Sequence, residues 1–221
     1  MIQIRRPSTP PGLLINQAKW TNRWNRRPKK WATVSAQRLL REHLLPITHN
    51  KCAYCESVLG GGARFEVEHY DTKASQPDLS FEWTNLFPTC GLCNGFKGGK
   101  AHNGALLKPD IDDGELHFWL NTANGEIQPR TGLDRNGEIR AEATIKLCGL
   151  NRGVLCHARR KQYRSAKRYL DAIAQHKKLP KELVLNFVGF LEPGEAYKLA
   201  IRAALPQRLA QVDRRMYHAA D

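Results

Sequence analysis

Apolar positions keep helical spacing toward both ends of the chain and alternate like strands near its middle. Trp20, Trp24 and Trp31 recur at intervals of four and seven, which puts three rings on one helical face. Packing is the first use of such a stripe, and stacking on bases the second. Pro28 breaks or restarts any helix there. Pro7, Pro10, Pro11 and Gly12 make the start an extended arm. Val34, Leu39, Leu40 and Leu44 predict a helix capped by Thr33 or Ser35 and stopped by Pro46.

Further along, Gly60-Gly61-Gly62 marks a turn, and Phe65-Glu66-Val67-Glu68 alternates like a short strand. Over residues 106–140 short strands are expected. Leu116, Phe118 and Leu120 alternate, Asn124-Gly125 is a hairpin turn before Ile127, and Asn136-Gly137 reads as another turn. A short helix over 141–149 ends at Gly149. The C-terminal third is helical: Leu155, Ala158, Tyr163, Ala166, Leu170 and Ile173 form a stripe, and basic residues cover the remaining faces. Pro180, Pro193 and Pro206 then punctuate three shorter helical patterns. The fold class is α+β, in four parts: a basic arm and helix over 1–50, a central module over 51–100, strands and a helix over 101–150, and a basic helical region over 151–221.

Charge changes this picture. The formal charge is +14 over 221 residues, divided as +9 over 1–50, −4 over 51–100 and 101–150 together, and +9 over 151–221. Such a balance points to a polyanionic partner, most simply nucleic acid. No apolar run reaches the ~18 residues of a membrane helix, and the start lacks a leader's apolar core. The expectation is a cytoplasmic protein with no membrane partner.

Six cysteines are present, four of them as Cys52-x-x-Cys55 and Cys90-x-x-Cys93, with 34 residues between the pairs. In a cytosolic chain two such knuckles read as a structural zinc site of four thiolates before they read as disulfides. Cys148 and Cys156 read as ordinary buried thiols.

The loop between the knuckles carries Glu66-Val67-Glu68-His69-Tyr70 and Phe81-Glu82-Trp83-Thr84-Asn85-Leu86. Asn94-Gly95-Phe96-Lys97 follows the second knuckle. An acid beside a histidine at a strand end offers a metal ligand and a general base. Asn94 supplies an oxygen ligand next to a zinc cysteine.

The set Glu68-His69, Asn85-Leu86 and Cys90-x-x-Cys93-Asn94-x-x-Lys97, bracketed by Cys52 and Cys55, resembles the HNH endonucleases of the ββα-metal fold. The resemblance covers residues 51–100. It implies that His69 activates water, that Glu68 and Asn94 hold one divalent cation such as Mg²⁺, and that Asn85 orients the histidine loop. The chain departs from the common pattern in having Glu before the histidine and Asn at the last position. Lys97 is the candidate for holding an adjacent phosphate. Glu66 reads as a solvent-facing or loop-supporting residue, and the other seven histidines as surface or satisfied core groups.

A wider resemblance runs through Ile4-Arg5-Arg6-Pro7-x-x-Pro10-Pro11, Val67-Glu68-His69-Tyr70 and Thr144-Ile145-Lys146-Leu147-x-x-Leu150-Asn151. It is to the HNH nucleases of Septu-type antiphage systems, also found with some retrons, and it implies an ATPase partner. The Trp stripe or the C-terminal helices are candidate docking surfaces for that partner. Two alternatives stay open: an HNH nuclease that cuts RNA such as tRNA, and a noncatalytic zinc-stabilised module that binds nucleic acid.

Overall fold

The computed structural model describes residues 1–28, 31–174 and 196–205. Helix α1 (Pro11–Arg26) begins with Pro11 in its first turn, where the missing N–H costs nothing, and ends before Pro28. Helix α2 (Val34–Leu44) is capped by Thr33, whose hydroxyl accepts from Ala36 N at 3.2 Å. Its buried residues Ala36, Leu40 and Leu44 repeat every four positions. Strands β1 (Phe65–His69) and β2 (Leu86–Cys90) are antiparallel, with Phe65 opposite Cys90 and His69 opposite Leu86. Helix α3 (Gly91–Lys97) follows β2 directly. After a short α4 (Gly114–His117) come β3 (Phe118–Leu120) and β4 (Ile127–Pro129), then α5 (Arg135–Leu147), α6 (Gly153–Ala174) and α7 (Lys198–Ala204).

The chain divides into two units, each described by itself. The first comprises Met1–Phe118 and Pro129–Leu150. Its core joins Leu13, Ala32, Ala36, Leu40 and Leu44 to Phe81, Trp83 and Leu86, with Trp20, Trp24, Trp31, Phe65 and Val67 packed against them. The N-terminal segment, expected as a basic arm and helix, therefore supplies much of the core that supports β1 and β2. Arg6 ties its start down, bonding Asp110 at 2.8 Å and the carbonyls of Trp83 and Leu86. Trp83 Nε1 returns a bond to Pro7 O at 3.0 Å.

The second unit contains Trp119–Gln128 and the described residues from Asn151 onward. Asn151 clamps the hairpin by bonding both the N–H and the carbonyl of Ile127 at 2.8 Å. Gly125 adopts φ +80°, and a Cβ there would lie 2.1 Å from Cys156 O, so the hairpin turn needs glycine. Ala166 and Leu170 of α6 pack with Ile201 and Ala204 of α7. Pro180, Pro193 and Pro206, most of the helical patterns they punctuate, His176 and His218 lie outside the described residues. No helix among the described residues is long and apolar enough to cross a membrane.

Two local expectations change. Asn136-Gly137 is not a turn but the first turn of α5, where Asp134 accepts from Gly137 N at 2.7 Å. The buried stripe Gly137, Ala141 and Thr144 outweighs the local turn preference. Leu116 lies in α4 rather than a strand, because Asp113 caps a helical turn over it.

If the N-terminal segment is integral to this core, Leu13→Ala lowers the stability of the first unit by about 2–5 kcal/mol. Urea unfolding followed by tryptophan fluorescence measures this, and an unchanged midpoint would show that the segment is detachable.

Candidate metal and active site

The two knuckles meet as the spacing anticipates. The four Sγ atoms of Cys52, Cys55, Cys90 and Cys93 lie within 4.8 Å of one another, and all four residues are buried. Cys55 Sγ and Cys90 Sγ are 3.7 Å apart. A tetrahedral zinc with bonds of about 2.3 Å needs sulfurs about 3.8 Å apart, so the set fits zinc. The thiols also fit poorly without a cation. Burial pushes the Cys52 thiol well up, while hydrogen bonds from its neighbours pull Cys55 well down. Ala53 N, in the first knuckle, donates to Pro88 O of β2 at 2.9 Å. The cluster therefore ties the knuckle, the end of β2 and the start of α3 together. Cys148 and Cys156 are buried and in no disulfide, and Cys156 Sγ donates to Asn151 O at 3.3 Å.

Alternation along β1 sorts its side chains. Phe65 and Val67 face the N-terminal core, and His69 shares their parity. Glu66 and Glu68 share the other face and meet α3. There Asn94 donates to Glu66 Oε2 at 2.7 Å, and Lys97 forms an ion pair with Glu68. Lys97 also donates to His69 O at 2.6 Å. Gly91 leaves the space that the Glu66 carboxylate occupies, since a Cβ there would lie 3.1 Å from Oε1.

His69 is almost fully buried, and its Nε2 lies 3.0 Å from Ser80 O. A carbonyl only accepts, so Nε2 carries the proton and Nδ1 keeps its lone pair. Trp31 Nε1 donates to the same Ser80 oxygen at 3.0 Å. The Trp31 ring stands edge-on to His69 with centroids 4.5 Å apart, and stacks on Phe81. Burial, then the ammonium of Lys73, lowers the His69 pKa to about 3, so the ring is neutral at neutral pH. Burial pushes Glu68 up to about 7 against the opposing charge of Lys97.

Asn85 braces the loop that follows His69. Its amide donates to Asp71 O at 3.0 Å and Leu79 O at 3.1 Å, and its oxygen accepts from Asp71 N at 2.7 Å. Both ends of the 71–79 loop thus hang on one side chain, and Ser80 comes next. Glu66, Glu68, His69 and Asn94 line one cleft of about 670 Å³, with Trp24 and Lys73 among the other lining residues.

The structure thus brings Glu68, His69, Asn94 and Lys97 to one cleft, with Asn85 behind it. Lys97 is turned inward, onto Glu68 and the His69 carbonyl. Four contributors escaped sequence reasoning: Glu66, Trp31, Lys73 and Ser80. The Glu66-Val67-Glu68 alternation could have found Glu66, because residues two apart on a strand share a face. Ser80 acts through its backbone carbonyl, which leaves no trace in residue identity.

No family model matches the chain. Over 122 residues it is 33% identical to "Septu protein PtuB" of Bacillus thuringiensis, covering 54% of this chain and 46% of that protein. Over 135 residues it is 30% identical to "Retron Vc95 putative HNH endonuclease" of Vibrio cholerae serotype O1 biovar El Tor, covering 57% of this chain and 64% of that protein. The chain thus spans less than two thirds of the length of either relative. These relatives are of the Septu and retron kind to which the motifs pointed.

Purified protein is expected to carry close to one tightly held zinc per chain. Cys93→Ser loses most of it, together with the cooperative unfolding of the first unit. Elemental analysis alongside thermal unfolding checks this; a metal-free wild type that unfolds at the same temperature would contradict it.

Proposed function

We propose that the chain is a metal-dependent HNH endonuclease that hydrolyses phosphodiester bonds of DNA, as the effector of an antiphage system with an ATPase partner. The observation that carries the nuclease reading is the His69 ring. Its proton is held on Nε2 by the Ser80 carbonyl, and it lines the same cleft as the oxygens of Glu66, Glu68 and Asn94. A binding module has no need for a buried neutral imidazole beside such a set.

In this reading Nδ1 takes a proton from water as the water oxygen attacks phosphorus. Trp31, stacked on Phe81, packs edge-on against the ring and shields it from solvent on that side. Asn85 keeps the loop from carrying Ser80 away. Glu68 and Asn94, assisted by Glu66, would hold the cation, and hard oxygen donors suit Mg²⁺. When bound, that ion supplies charge stabilisation at the phosphate and the leaving oxygen. Lys97 partly offsets the burial that pushes the Glu68 carboxyl up, and so favours its charged form. Zinc at the four cysteines serves structure.

The names of the two relatives support the nuclease and defence readings, and the ATPase partner is what the Septu-type resemblance implies. DNA is placed before RNA on the HNH resemblance, because the charge of the chain suits either polyanion. On α6, Arg160, Lys161, Arg164, Lys167 and Arg168 line a basic groove suited to a phosphate backbone.

Plasmid DNA and labelled tRNA, incubated with Mg²⁺ in the presence and absence of the partner ATPase, test the proposal. Wild type is expected to cut DNA, and His69→Ala to lose about 10²-fold or more in rate with its zinc retained. Equal cleavage by His69→Ala would sink the mechanism. Degradation of tRNA alone would move the substrate to RNA, and binding without any cleavage would favour the noncatalytic reading. Trp31→Phe keeps the packing but removes one donor to Ser80, and is expected to slow turnover less than His69→Ala.

A further inference from the structure

Two lysines line the cleft, and they differ in what their charge already meets. Lys97 is buried and spent, with Nζ on Glu68 and on the carbonyl of His69. Lys73 is half-buried, and among the described residues its ammonium makes no hydrogen bond or ion pair. It lies over two indoles instead, 5.8 Å from the Trp24 ring centre and 5.2 Å from that of Trp31. Cation–π contact fixes the stem and part of the field of a lysine, but leaves its N–H donors unused.

We propose that Lys73, seated against Trp24 and Trp31, is the cation of the cleft that binds a phosphate of the nucleic-acid backbone beside His69. The proposal deepens the nuclease reading and rests on it for the identity of the ligand.

Three observations support it. The position is fixed: Lys73 follows Asp71 and Thr72, whose backbone is held by Asn85 and by bonds from Ser75 N and Gln76 N to Thr72 O. The charge is strained: burial lowers the Lys73 pKa and Glu68 only partly opposes this, so an incoming anion gains by supplying the missing partner. The location is right: Lys73 shares a cleft with Glu68, His69 and Asn94 and acts electrostatically on His69. The two tryptophans come from the N-terminal segment, so the part of the chain that completes the core also seats this cation.

Binding of labelled duplex DNA and labelled single-stranded RNA, measured by fluorescence anisotropy across a salt series without added divalent cation, tests the proposal apart from cleavage. Lys73→Met is expected to weaken binding about tenfold. It should also flatten the slope of log K against log salt by about 0.9 on duplex or 0.7 on single strands. Lys73→Arg keeps most of the affinity. Arg38→Gln, which removes an exposed charge on α2, changes neither quantity by as much. Zinc content confirms that each variant is folded. Affinity and slope equal to wild type in Lys73→Met would overturn the proposal. So would an equal loss in Arg38→Gln, or no binding of either nucleic acid by the wild type. If His69→Ala cuts as fast as wild type, the nuclease mechanism fails while this binding comparison still stands.

Discussion

The site depends on one buried carbonyl. Ser80 O accepts from His69 Nε2 and from Trp31 Nε1, both at 3.0 Å. Two donors on one acceptor set the tautomer of the imidazole and the direction in which its lone pair points. That carbonyl is itself positioned from two sides. Asn85 holds the ends of the preceding loop, and Ser80 Oγ donates to Pro77 O at 2.6 Å. A hydrogen bond of this kind contributes only about 1 kcal/mol net to stability. Its larger effect is to choose one geometry among several of similar energy.

Strand β1 divides the remaining work by its two-residue period. One face is apolar and built against α1 and α2, and it ends in His69. The other is acidic and faces α3, with Asn94 on Glu66 and Lys97 on Glu68. A buried ion pair such as Glu68–Lys97 costs several kcal/mol of desolvation per ion, which its attraction repays only in part. It is poorly explained as a stability device and well explained as part of a site. The cysteine cluster supports the arrangement, because it ties α3 to β2 and to the first knuckle.

Much of this was legible in the sequence wherever identity and spacing carry the chemistry. The cysteine pairs gave the cluster, and the alternation of Phe65 to Glu68 gave β1. The Glu68-His69 pair with Asn85 and Asn94 pointed to the cleft. Where burial decides, the reading fell short. Asn136-Gly137 reads locally as a turn, but Ala141 and Thr144 bury it within α5. The first 50 residues read as a basic arm and helix, but Leu13, Leu40 and Leu44 do not announce which partner they pack against. Lys97 and Lys73 look equivalent along the chain; only their neighbours separate a neutralised cation from an available one.

The central claim is that one cleft holds a divalent cation on Glu68 and Asn94 with the Nδ1 of His69 facing the substrate, separate from the zinc of the cysteines. A crystal structure with Mn²⁺ and a phosphodiester oligonucleotide, phased by anomalous scattering at both metal edges, tests it most directly. Zinc is expected among the four sulfurs, manganese on Glu68 and Asn94, and a phosphate opposite His69 Nδ1. Manganese confined to the cysteines, or a His69 ring whose Nδ1 turns into the core, would contradict it.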